Sequence, residues 1–308
     1  MSEQPGEPLL PTGVEVSFAD IESLLSSHSS DETKRVAGMA LTATMVVAGP
    51  PPRLMEAAKA LSSLTDVGVR TVLISYGDNP EPAVRVSRQT VSLEGLPPKY
   101  LNNAVAALRL SSLPTLVWWR GGNVDTLKGL AALSDRLVLD AEGAREVWAL
   151  VEKLAELTAV SDLRWTRLTR WRALMCHFFD IADVRAAASG FRRLRIEGSD
   201  LDAARLFAGW LASALQWGEG VAPDLREKPG ASPIDLVVLG DGTQELTLRL
   251  AANQTCVESA ARLHGLAPVS RIVSLGDQGL AALLGEELRI RSRDLAFERA
   301  VAVSKGLV

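Results

Sequence analysis

The 308 residues carry 33 basic and 37 acidic side chains, a net charge of −4 and 47% apolar residues, the balance of a globular chain long enough to bury cores in two domains. Only two cysteines (Cys176, Cys256) and three histidines (His28, His177, His264) occur, too few and too scattered for a disulfide framework or a His-based metal centre, so neither metal nor cofactor is expected. No run approaches the ~18 apolar residues of a membrane span, and the N-terminus lacks the basic start and apolar core of a secretory signal, so a cytoplasmic protein with no membrane partner is expected.

In chain order, residues 1–32 hold seven acids and no Lys or Arg. The first dozen, rich in Pro and Gly, read as a flexible tail. Ser17 to Leu25 suits a short helix with Phe18, Ile21, Leu24 and Leu25 on one face. An alternating rhythm follows. Met39–Ala48 is a buried strand, Arg53–Thr65 a helix, Val69–Ser75 a second buried strand and Val84–Leu93 an alternating strand at an edge. Lys99–Leu110 reads as a helix, Pro114–Trp119 and Arg136–Asp140 as strands, and Glu142–Leu157 as the closing helix. Strands alternating with helices indicate a parallel or mixed sheet covered on both faces.

The texture then changes. Leu163–Asp180 is helical for most of its length, Phe191–Glu197 is a strand, and Asp200 caps a helix running to Trp217. Ile234–Leu239 and Glu245–Ala251 flank Gly240-Asp241-Gly242 as a hairpin. Cys256–Leu263 and Val269–Leu275 continue the meander, and helices near 277–287 and 292–304 end the chain. The fold class is therefore α/β: an N-terminal domain with a parallel or mixed sheet covered by helices, then a smaller α+β C-terminal domain. The expected division is 1–35 as an acidic flexible segment, 36–160 as the α/β domain, and 161–308 as the α+β domain.

Motifs of catalysis are missing. No phosphate-binding loop, dinucleotide fingerprint, nucleophile elbow or zinc-protease signature occurs. Cys176 and His177 are neighbours on a helix, about 100° apart, and cannot form a nucleophile–base pair. The glycines Gly49, Gly77 and Gly121, at strand ends, leave open a site for a sugar phosphate or nucleotide at the sheet edge.

Tryptophan and arginine stand out instead: seven Trp in a chain with 5% aromatic residues, and 26 Arg against 7 Lys. Three segments concentrate them. LPTLVWWRGG (113–122) places Trp118 and Trp119 on opposite faces of a strand, so both can be interior only if both faces are covered. In 162–180, Trp165, Leu168, Trp171, Met175, Phe178 and Phe179 share one helical arc, with Arg164 and Arg172 in or beside it and Arg167 and Arg170 flanking. An Arg there can stack on a Trp ring or pair with a buried carboxylate. In LFAGWLASALQW (206–217), small residues beside Trp permit close packing. Residues 164–195 carry a local charge of +6. The acidic whole, with pI ≈ 5.6, and the lack of any recognition motif argue against nucleic acid.

Together with DRLVLDA (135–141), DLRWTRLTRWR (162–172) and LAFERAVAVS (295–304), these segments resemble the OpcA family, the glucose-6-phosphate dehydrogenase assembly proteins. The resemblance runs from about residue 36 to the end. It implies a non-catalytic protein that binds glucose-6-phosphate dehydrogenase and promotes its assembly or allosteric activation in the oxidative pentose phosphate pathway. It points to Trp118, Trp119, Arg120, Trp165, Arg167, Trp171 and Arg172 as the partner contact or its structural support. Arg120 stands where many members have proline. Neither the stoichiometry nor the chain's own oligomeric state is written in the residues.

Overall fold

In the computed structural model the described residues are 14–15, 41–64, 67–78, 83–87, 89–218, 221–265, 269–290 and 292–307. The expected helix at Ser17–Leu25 lies outside them. The elements in chain order are β1 (Val14–Glu15), β2 (Leu41–Gly49), α1 (Pro51–Ser62), β3 (Gly68–Tyr76), β4 (Ala83–Ser87), β5 (Thr90–Leu96), α2 (Leu101–Leu108), β6 (Thr115–Trp119), α3 (Leu127–Leu133), β7 (Arg136–Leu139), α4 (Ala144–Trp148), α5 (Val151–Ala155) and β8 (Ala159–Asp162). They continue as α6 (Leu163–Arg167), α7 (Thr169–Phe178), α8 (Ala182–Ala187), β9 (Arg193–Gly198), α9 (Leu201–Ala214), β10 (Asp224–Glu227), β11 (Leu236–Gly240), β12 (Glu245–Leu250), β13 (Cys256–Arg262), β14 (Val269–Ser274), α10 (Leu280–Arg289) and α11 (Leu295–Ser304).

Two compact units result: residues 1–143, 153–161 and 279–293 form the first, and 144–152, 162–278 and 294–308 the second. The first is built on an eight-stranded sheet in the order β1-β4-β5-β3-β2-β6-β7-β8. Strands β5, β3, β2, β6 and β7 run parallel, while β4 is antiparallel to β5 and β1 to β4. Apolar runs buried on both faces are what a covered parallel sheet requires, and Val46, Val47, Val72, Leu73 and Val117 are all fully buried. The mixed α/β class expected above is what the chain adopts.

The returning helix α10 is fixed in this first unit by a buried ion pair. Arg136 Nε donates to Glu287 Oε2 at 2.6 Å, and the Ser161 hydroxyl donates to Glu287 Oε1 at 2.8 Å. Both charges are almost wholly interior, so each depends on the other and on the Ser161 hydrogen bond.

The second unit holds a six-stranded sheet in the order β10-β9-β11-β12-β13-β14, with β10 parallel to β9 and the rest antiparallel. Helices α9 and α11 pack most extensively in this unit. Gly209 makes that approach possible, since a Cβ there would lie 2.4 Å from the Ala300 carbonyl oxygen. The hairpin between β11 and β12 pairs Gly240 with Glu245. The Asp241 carboxylate closes it by accepting from the Thr243 and Gln244 N–H groups at 2.7 and 2.8 Å.

Helices α3 and α8 and strand β10 fall where no element was expected, and three expected elements take another form. Residues 84–93 fall in two strands, β4 and β5, which pair antiparallel. The helix expected over 142–157 is split into α4 and α5, because the Leu150 N–H reaches Val147 three residues back instead of continuing the four-residue ladder. The buried strand β8 then follows, too short at four residues to show a period. The helix expected over 163–180 breaks at Leu168, whose N–H is shared between the Arg164 and Trp165 carbonyls, both at 3.1 Å. Trp165 and Trp171 therefore stand on separate helices.

Among the described residues no helix is long and apolar enough to cross a membrane.

Candidate functional site

Of the seven residues singled out by sequence, three belong to the first unit. Trp118 and Trp119 end β6, paired in parallel register with Val47 and Ala48 of β2. Both are interior, at 0% and 1% exposure, because both faces of the sheet are covered. Arg120 continues the strand by donating its backbone N–H to Ala48. Its guanidinium lies 4.4 Å from the Trp118 ring centroid. Nε donates to Asp140 at 2.8 Å, Nη2 to Glu56 at 2.8 Å, and Nη1 to the Arg53 carbonyl. Arg53 returns a hydrogen bond to the Arg120 carbonyl at 2.9 Å and pairs with Asp140 at 3.1 Å. A planar guanidinium with its donors distributed this way is a clamp that ties β6 to α1 and to the end of β7.

This clamp occupies the carboxyl ends of the parallel strands. A Cβ at Gly49 would lie 2.9 Å from Arg120 Cβ, and one at Gly77 would lie 2.7 Å from Gly95 Cα. These glycines admit the protein's own side chain and backbone. Gly122, at φ +124°, makes room for the Tyr76 ring, and burial holds the Tyr76 phenol above its ordinary pKa. Of these four glycines, Gly121 is the one whose Cβ would meet nothing within 4 Å.

The other four residues belong to the second unit. Trp165 and Trp171 are buried at 2% and 4% exposure, whereas Arg167 and Arg172 are half-buried. Arg172 lies flat over Trp165, 3.4 Å from the ring centroid, the stacking that the Trp–Arg spacing suggested. Trp165 also packs against Phe297 with ring centroids 5.8 Å apart. Its indole N–H donates to Asp294 at 2.7 Å.

Three aspartates organise this unit, and each divides its oxygens in the same way. One oxygen caps a helix and the other accepts from a Trp or Arg side chain. Asp162 caps α6 at the Arg164 N–H (2.8 Å) and accepts from the Trp148 indole (2.9 Å). Asp200 caps α9 at the N–H groups of Asp202 and Ala203 (both 3.0 Å) and accepts from Arg164 Nε (3.1 Å). Asp294 caps α11 at Ala296 and Phe297 (both 3.0 Å) and accepts from Trp165. Helix N-termini favour negative charge and leave N–H groups to satisfy, which is why Asp is placed there. Asp162 and Asp294 were missed as site residues by sequence reasoning. Their signal is local: each of the three is an Asp-Leu pair opening a helix.

Arg167 at the end of α6 and Trp171 on α7 line a cleft of about 210 Å³ with Arg164, Ile234, Gln254 and Gln278. Among the described residues no group of three His, Cys, Asp or Glu side chains could hold a metal ion. Cys176 on α7 and Cys256 on β13 are free thiols.

Residues 158–301, which include α6, α7, α9 and most of α11, match the family described as the C-terminal domain of a glucose-6-phosphate dehydrogenase subunit. The OxPP cycle protein OpcA of Nostoc punctiforme is 25% identical over 250 residues, covering 67% of this chain and 54% of the relative. The protein of the same name from Synechocystis sp. is 24% identical over 245 residues, covering 66% and 52%. The chain thus spans about half the length of the curated relatives it matches. Among solved structures, the super-repressor mutant of Gal80p from Saccharomyces cerevisiae overlaps 86% of this chain and 93% of its own, at 9% identity and a TM-score of 0.49.

Proposed function

By residues 158–301 the chain belongs to the OpcA family, and from that membership we propose that it is a non-catalytic, cytoplasmic partner of glucose-6-phosphate dehydrogenase in the oxidative pentose phosphate pathway. It binds the dehydrogenase and promotes its assembly or allosteric activation. The observation that carries this reading is the match of the Trp/Arg-rich unit to a domain named for that dehydrogenase. Trp118, Trp119, Arg120, Trp165 and Trp171 are interior, so they act as the support of a contact surface and not as the surface itself.

The surface we assign to the partner is β14 with its neighbours. It is the last strand of its sheet, and nearly its whole length is exposed, with Val269 at 61% and Ile272 at 70%. Large apolar side chains on an unpaired edge invite a partner strand or sheet. Activation then follows if the complex favours one state of the dehydrogenase, since equal affinity for two states shifts nothing. A coupling of about 1–3 kcal/mol would change substrate affinity ~5–150-fold.

The test is co-elution in size-exclusion chromatography of this chain with the dehydrogenase from the same source. A shared peak at micromolar concentration is expected. Separate elution throughout that range would remove the reading.

A further inference from the structure

A cleft lies beside α6 and α7, lined by charged, amide and apolar side chains. Arg164 lines it, but its charge is matched, with Asp200 at 3.1 Å and Asp162 at 3.6 Å. Arg167 also lines it and has no hydrogen-bond or ion-pair partner among the described residues, although it is half-buried. None of its side-chain nitrogens is buried without a partner, so its five donors and its charge stay open to a ligand as well as to water.

The polar groups around it are arranged as a complementary set. Gln278 donates its amide to the Leu275 carbonyl at 3.0 Å, leaving a buried Oε1 with no donor among the described residues. The Ser232 hydroxyl donates to Gln254 Oε1, which leaves the Gln254 amide N–H groups available. Gln254 is held at φ +58°, one of only two described non-glycine residues with positive φ. It sits in the exposed turn between β12 and β13, where its N–H donates to the Ala251 carbonyl at 2.9 Å. Trp171 and Ile234 supply an apolar wall. The cleft therefore offers a fixed positive charge, amide donors and one unfilled acceptor.

We propose that this cleft binds a small hydroxylated anion, a carboxylate or a phosphate ester, with Arg167 gripping the anionic group and Gln278 Oε1 accepting from a ligand hydroxyl. A guanidinium presents two parallel N–H groups to either anion. The proposal concerns this chain alone and does not rest on its binding the dehydrogenase.

The experiment titrates the full chain with glycerol 3-phosphate and with glycerate by calorimetry, using ethyl phosphate, inorganic phosphate and glycerol as comparisons. Saturable binding is expected for at least one hydroxylated anion, and the stronger of the two identifies the anionic group. Arg167→Ala should weaken it about 10–100-fold, the worth of a charge-assisted hydrogen bond, with an unchanged melting temperature in the absence of ligand. Arg167→Lys, which keeps the charge but loses the fork, should fall between, and carries the test if the alanine variant is unstable. Gln278→Leu should remove the preference for glycerol 3-phosphate over ethyl phosphate. No saturable binding of either hydroxylated anion in the millimolar range overturns the proposal. Equal binding of glycerol or inorganic phosphate does so too, as does affinity indifferent to both Arg167 variants.

Discussion

Trp165 is satisfied on every side it presents: Arg172 covers its ring, Phe297 meets its edge, and Asp294 takes its N–H. Trp165→Phe keeps the packing but leaves Asp294 without its indole donor, and should lower unfolding free energy by about 1–3 kcal/mol in urea titration. Arg172→Ala should cost less, about 0.5–2 kcal/mol, the range of a cation–π contact. Asp241 gives the residue scale a pH signature. The N–H groups of Gln244 and Thr243 and the Thr243 hydroxyl hold its carboxyl well below the usual carboxylate range. A depressed folded pKa adds stability above the unfolded value of about 3.9, and that stability is lost as pH falls toward the folded value. Asp241→Asn should therefore flatten the acid limb of melting temperature between about pH 4 and 2, while changing the slope near neutrality little. The caps themselves were legible, since an Asp before Leu at a helix start is a readable signal. Their second partners were not, because Trp148, Arg164 and Trp165 lie 14, 36 and 129 residues from the aspartates they bind.

Elements with a long clear period were readable, and short ones were not. Strands β2, β3 and β6 announce themselves as apolar runs, and the β11–β12 hairpin through its Asp-Gly turn. Strand β8 carries four residues and no period, and the break at Leu168 depends on one shared N–H that composition does not encode. The return of α10 to the first unit was equally hidden, for it hangs on Arg136 and Glu287, 151 residues apart. Glu287→Gln strands a buried guanidinium and should destabilise the fold by about 3–5 kcal/mol, measured by denaturant unfolding. Loss of less than about 1 kcal/mol would mean the pair is dispensable. Strand β14 supplies the opposite case. Ile272→Lys puts a charge on an exposed edge and should alter stability by no more than about 0.5 kcal/mol, yet abolish co-elution with the dehydrogenase.

At the scale of the whole molecule, the tryptophans change meaning. Read in sequence they mark either a contact surface or its support, and periodicity cannot separate the two, because an interior stripe and a docking stripe share one spacing. In the structure Trp118, Trp119, Trp148, Trp165 and Trp171 are buried, whereas Trp210 and Trp217 are only partly covered. The glycines at the ends of β2 and β3 are likewise explained by close packing against Arg120 and Gly95. The proposed function requires that binding favour one state of the dehydrogenase, which the enzyme's substrate-saturation curve measures. With this chain present at micromolar concentration, the half-saturating substrate concentration should fall by at least about 5-fold, the lower bound of an allosteric coupling. A curve that superimposes on that of the dehydrogenase alone, with the two proteins mixed at the same concentrations, would contradict it.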